Sequence, residues 1–92
     1  MIDVSSLPYS QKVSHQMLKY IRLARNLSQD RFSEICKINQ SVLAKLESNE
    51  IVLSPHYESK ILEGCRKLSI SHNELEAIKT LLEYKNTKNG GN

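Results

Sequence analysis

An all-α fold, five helices in one compact domain, is what the sequence predicts, and three observations carry that expectation. Apolar residues recur at three- and four-residue steps through most of the chain, the period of helices that bury one face. Aromatics are few, Trp is absent and Gly and Pro are scarce, so the vocabulary of strands and tight turns is missing. Ser or Asn, the residues whose side-chain oxygen accepts from a helix's first free N–H groups, precedes each periodic stretch. With 92 residues a single core is expected, because two would each bury too little surface. A hydrophobic share of 39% and a charged share of 25% are ordinary globular usage.

Residues 1–9, with Pro8, have no clean period and read as a flexible N-terminal arm; the domain proper is expected over 10–85 and a disordered tail over 86–92. Ser10 is the expected cap of a first helix from Gln11 to Asn26, with Val13, Met17, Leu18, Ile21 and Ala24 inward. Ser28 caps a short second helix with Asp30 in its first turn, where negative charge suits the helix dipole, and with Phe32, Ile35 and Cys36 inward. After a brief turn at Lys37-Ile38, Asn39 caps a third helix over Gln40 to Glu47, anchored by Val42, Leu43 and Leu46. Two short helices so closely linked must cross steeply. Asn49 is the expected left-handed stop. Ser54-Pro55 then opens a fourth helix with Tyr57, Ile61, Leu62, Cys65 and Leu68 inward. Ser71, with Glu74 completing a capping box, opens a fifth whose apolar stripe is Leu75, Ile78, Leu81 and Leu82.

The net charge of +3 permits a nucleic-acid partner without requiring one. No apolar run approaches the roughly 18 residues that span a bilayer, and the first residues lack a basic start and an apolar stretch, so a cytoplasmic protein with no membrane partner is expected. Cys36 and Cys65, far apart and each among apolar residues at helical spacing, read as buried reduced thiols. His15, His56 and His72 are isolated and no ligand set has metal-site spacing, so neither metal nor cofactor is expected. With no Gly-rich phosphate loop and no activated nucleophile, neither an enzyme nor a small-molecule site is expected.

Residues 27–50, LSQDRFSEICKINQSVLAKLESNE, resemble the lambda-repressor-like (Cro/XRE-type) helix-turn-helix family, whose pattern runs LSQ-acidic-x-apolar-small and closes apolar-Glu. The likeness extends over 18–75, with Arg22 and Arg25 ahead of the motif and Lys67 to Ser71 with Leu75 behind it. It implies a sequence-specific DNA-binding transcriptional regulator, a small repressor that acts as a homodimer on double-stranded DNA. The helix-turn-helix would be helices 2 and 3.

The resemblance also assigns roles. Gln40, Ser41 and Lys45 would touch base edges, since Gln can donate to and accept from adenine and Lys can donate to guanine. Ser28 and Gln29 at the start of the second helix would clamp phosphate, helped by Lys37, Asn39, Ser48 and Asn49 in the flanking turns. Arg22 and Glu47 would form a structural ion pair. Independently of the resemblance, the fifth-helix stripe of Leu75, Ile78, Leu81 and Leu82, with Tyr84 at its edge, looks long for one small core to cover, and its exposed part is the expected dimer interface. Three positions depart from the family pattern. Lys37 stands where glycine is usual, at a cost of about 1 kcal/mol if the backbone is left-handed. Ser33 stands for alanine at the helix crossing and needs a hydrogen bond, to a carbonyl one turn earlier. Glu50 stands where many relatives carry a basic residue. The alternative reading is a protein-interaction module on the same fold, an antirepressor or antitoxin-like component.

Overall fold

The computed structural model describes residues 12–90, with side chains through residue 85, and every element among them is a helix: α1 His15–Leu23, α2 Gln29–Cys36, α3 Gln40–Glu47, α4 Pro55–Lys67 and α5 His72–Gly90. Helix α2 packs on α3 and α4, while α1 packs on α3 and α5. The shared core holds Met17, Leu18 and Ile21 of α1, Phe32 and Cys36 of α2, Leu43 and Leu46 of α3, Ile61 and Cys65 of α4, and Leu75 and Leu82 of α5. The expected arm over 1–9 and the expected Ser10 cap lie outside the described residues, as do residues 91 and 92. The α5 backbone stays helical to Gly90, past the tail boundary drawn at 85 from the sequence.

Helix α1 starts later than its apolar period implies, and a buried acid is the reason. Glu58 of α4 is only 3% exposed, and its Oε2 accepts from the backbone N–H groups of Lys12 at 2.6 Å and Val13 at 2.9 Å. That clamp holds residues 12 and 13 out of the helix while Val13 still sinks fully into the core, and Ser14 becomes the N-cap. A buried carboxylate is costly unless its oxygens find donors, and here two amides supply them. Helix α1 also stops early: Ala24, expected inward, follows its last residue and is exposed.

Helices α1 to α4 end in the same way. A left-handed residue (Asn26, Lys37, Asn49 or Ser69, φ between 56° and 63°) is followed by one whose N–H reaches back five positions. These bonds are Leu27 to Arg22, Ile38 to Ser33, Glu50 to Lys45 and Ile70 to Cys65, at 2.8–2.9 Å. Such closures satisfy carbonyls that a helix end leaves without partners. None of the four stops is glycine, and the left-handed backbone costs Lys37 and Ser69 about 1 kcal/mol each. At three of the four, the residue after the stop (Leu27, Ile38, Ile70) is apolar and packs on or into the core, which locks the exit angle.

The chain crosses itself closely at Gly64 of α4, where a Cβ, if added, would overlap the Cys36 sulfur and lie 3.5 Å from Cys36 Cα and Cβ. Ser33, in the tight crossing of α2, is 3% exposed and donates to the Asp30 carbonyl at 2.6 Å, which meets the requirement read from the sequence.

Arg25 ties the end of α1 to the α4–α5 junction. Its guanidinium donates to both Glu74 oxygens at 2.7 Å, to Leu68 O at 3.1 Å and to Ser69 O at 3.2 Å. Ser71 Oγ accepts from Glu74 N at 3.1 Å, the cap half of the expected box. The hydrogen bonds from Arg25 outweigh partial desolvation and hold the Glu74 carboxyl below its ordinary value of 4.5; the Arg25 charge and the Ser71 backbone N–H act in the same direction. A carboxylate whose pKa is depressed by folding stabilises the fold above the unfolded value, and that contribution is lost as pH falls through the folded one. The melting temperature is therefore expected to hold near neutrality and decline below about pH 4.5, with a shallower decline in Glu74→Gln, as followed by circular dichroism. Equal acid slopes in the two proteins would refute a role for the Arg25–Glu74 pair in that decline.

Candidate nucleic-acid interface

Helix α3 has two chemically distinct sides. Leu43 and Leu46 are fully buried and Val42 is packed against the core, which fixes the helix on its scaffold. Gln40, Ser41 and Lys45 are exposed along the opposite side, Ala44 is half-buried, and Ser48 and Asn49 are exposed just beyond the end. A polar face held outward on a rigid anchor is what a helix needs to enter a major groove.

The start of α3 is set by Asn39. Its Oδ1 accepts from Ser41 N at 2.9 Å and from Ser41 Oγ at 2.6 Å. The cap therefore uses the Asn39 oxygen and the Ser41 proton, leaving the Asn39 amide N–H groups as donors and the Ser41 oxygen as an acceptor.

The end of α3 is fastened by one carboxylate. Glu47 Oε2 accepts from Arg22 Nε at 2.9 Å, and its Oε1 accepts from Arg22 Nη2 at 3.2 Å and Gln29 Nε2 at 3.1 Å. Both side chains of the ion pair are largely shielded, 16% exposed for Arg22 and 10% for Glu47. Helices α1, α2 and α3 thus meet at Glu47, and the bidentate geometry fixes orientation as well as distance. The link from Gln29 to Glu47 had no signal in the sequence, where Gln29 reads only as a phosphate clamp. With one N–H given to Glu47, the Gln29 amide keeps a second N–H for another acceptor.

The flanking turns differ in what they present. Ser28 Oγ accepts from Arg31 N at 3.1 Å, as an N-cap does. Lys37 is exposed at φ 58°, and its carbonyl accepts from Lys60 Nζ at 3.2 Å. Ser48 gives its hydroxyl proton to Glu50 Oε2 at 2.6 Å. That acid occupies the Ser48 donor and sets a negative charge at the exit of α3.

On α5, Leu75 and Leu82 face the chain's own core and are each 9% exposed, so these two of the four residues expected at a dimer interface are not surface residues. Ile78 is half-buried, and the exposed apolar side is carried by Leu81 at 55% and Tyr84 at 64%, beside Ala77 and Thr80. Ala77 lies outside the stripe read by apolar spacing, which does not say which edge the core consumes.

Two crossed helices with an outward polar face define a helix-turn-helix protein. A family model described as Helix-turn-helix matches residues 18–72, and the chain belongs to this family, of the Cro/C1, lambda-repressor-like type. It is a DNA-binding helix-turn-helix regulator from a non-enzymatic domain family. Comparison with curated proteins and with solved structures found no significant match. Among the described residues no helix is long and apolar enough to cross a membrane.

Proposed function

We propose that the protein is a sequence-specific transcriptional regulator, a small cytoplasmic repressor that places Gln40–Glu47 in the major groove as a homodimer. One observation carries this reading: Gln40, Ser41 and Lys45 lie exposed on a helix whose opposite face, Leu43 and Leu46, is fully buried. Gln40 and Lys45 read base edges, and Ser41 offers an acceptor. Ser28, Gln29, Lys37, Asn39 and Asn49 border that face and supply phosphate contacts; Ser48 does so only when its hydroxyl leaves Glu50. Pairing of two chains uses the Leu81 and Tyr84 side of α5 and puts two recognition helices about one DNA turn apart.

Anisotropy titrations of random and selected duplexes at several salt concentrations test the reading. Binding is expected to weaken steeply with salt. Gln40→Ala or Lys45→Ala is expected to cost about 1 to 3 kcal/mol and relax preference at one base pair, whereas Gln29→Ala weakens all sequences alike. Absent or salt-insensitive binding would overturn the proposal in favour of a partner-binding module.

A further inference from the structure

Beside the exit of α3 the surface opens into a cleft of about 400 Å³, lined by His15, Lys19 and Tyr20 of α1, Glu47 and Ser48 at the end of α3, and Lys85 of α5 among others. Two lysines and an imidazole converge there from helices far apart in sequence. Lys85 is held by Tyr20, its Nζ 3.4 Å from the phenol oxygen and 5.7 Å from the ring centroid. The one acid in the lining, Glu47, already has its charge matched by Arg22 and a further bond from Gln29. Glu50, outside the lining, has Ser48 Oγ–H on its carboxylate. Glu50 keeps its charge outside the lining, while the lining itself sets two lysines against one acid already paired with Arg22, so its net charge is positive and its polar groups suit a compact anion.

We propose that this cleft binds a phosphate group, and that in the DNA complex it takes a backbone phosphate beside the bases read by α3. The second half of the proposal rests on the DNA-reading role given to α3 above. An eight-residue helix spans about 12 Å, close to the width of the major groove. When the Gln40 end meets bases, the Ser48 end stays within a lysine's reach of the bordering strand. Lys19 and Lys85 then extend the footprint beyond the helix-turn-helix itself, from elements the motif does not include.

The test compares wild type with Lys19→Gln, Lys85→Gln and the double variant, with Lys67→Gln on α4, outside the cleft, as the control. DNA affinity is measured against salt on a selected and an unrelated duplex. Each cleft substitution is expected to reduce the slope of log K against log salt by about one, equally on both duplexes, with base preference intact and restored slope in Lys→Arg. Melting curves confirm that the variants fold. In parallel, inorganic phosphate is titrated into labelled protein, and the amide signals of Lys19, Tyr20 and Ser48 are followed by NMR. A reduced slope supports the DNA-backbone assignment, whether or not free phosphate binds. An unchanged slope with phosphate-shifted signals overturns that assignment and leaves a site for a free phosphate. No change in either overturns the proposal entirely. If the wild type binds no DNA, the earlier reading of α3 fails, and the phosphate titration alone decides the cleft.

Discussion

Glu47→Ala is expected to destabilise the protein by about 3 kcal/mol, because it removes the single acceptor on which three helices converge. The change strands Arg22, whose guanidinium is largely shielded and keeps only a 3.3 Å bond to the Leu27 carbonyl. It also releases the Gln29 amide. For a domain of this size a loss of about 3 kcal/mol lowers the melting temperature by about 12 °C or more, a shift easily read by circular dichroism. Replacing both partners with apolar residues, Arg22→Met with Glu47→Leu, is expected to recover most of that loss, since neither desolvated charge then remains. A single variant melting within about 2 °C of wild type would show that the pair does not hold α3 to α1.

Gly64→Ala is expected to cost about 2 kcal/mol, although alanine is the better helix former. The propensity gain is about 1 kcal/mol, while forcing a methyl into the Cys36 sulfur costs about 3 kcal/mol of overpacking. The added Cβ would overlap Sγ, on a short side chain buried in the crossing, while the Cα and Cβ of Cys36 at 3.5 Å would be in ordinary contact. The sign should reverse when the sulfur is removed: in a Cys36→Ala background, Gly64→Ala is expected to be neutral or mildly stabilising. A double-mutant cycle by urea denaturation measures that coupling, and additive costs would show that the two residues do not constrain each other.

Much of the architecture was legible because local chemistry and global fold agree. Ser28, Asn39 and Ser54 each cap the helix they precede, and α2, α3 and α4 follow the boundaries that the caps and apolar spacing imply. Helix α1 departs from its apolar period at the start because the competing force comes from Glu58, more than forty residues away, which in sequence looks like any acid in a helix's first turn. Asn26 and Ser69, two of the four left-handed stops, carry no sequence signal for a related reason: only the fold shows where α1 and α4 end. On α3 the exposed and buried sides follow from spacing alone. The partners that tune its ends, Gln29 on Glu47 and Glu50 on Ser48, depend on rotamers that spacing does not encode. The apolar stripe of α5 carries position without direction, and the chain's own core takes Leu75 and Leu82 from it.

The thiols of Cys36 and Cys65 are free and buried, and desolvation pushes them up to about 12 and about 11. Oxidants and electrophiles attack the thiolate, and the folded chain offers almost none at neutral pH. Any adduct on Cys36 would also wedge α2 away from α4 and disturb α3, which packs on α2. The native regulator is thus insulated from the redox state of its surroundings through these two sulfurs: oxidative chemistry can reach them only after the fold has opened, as damage and not as a signal.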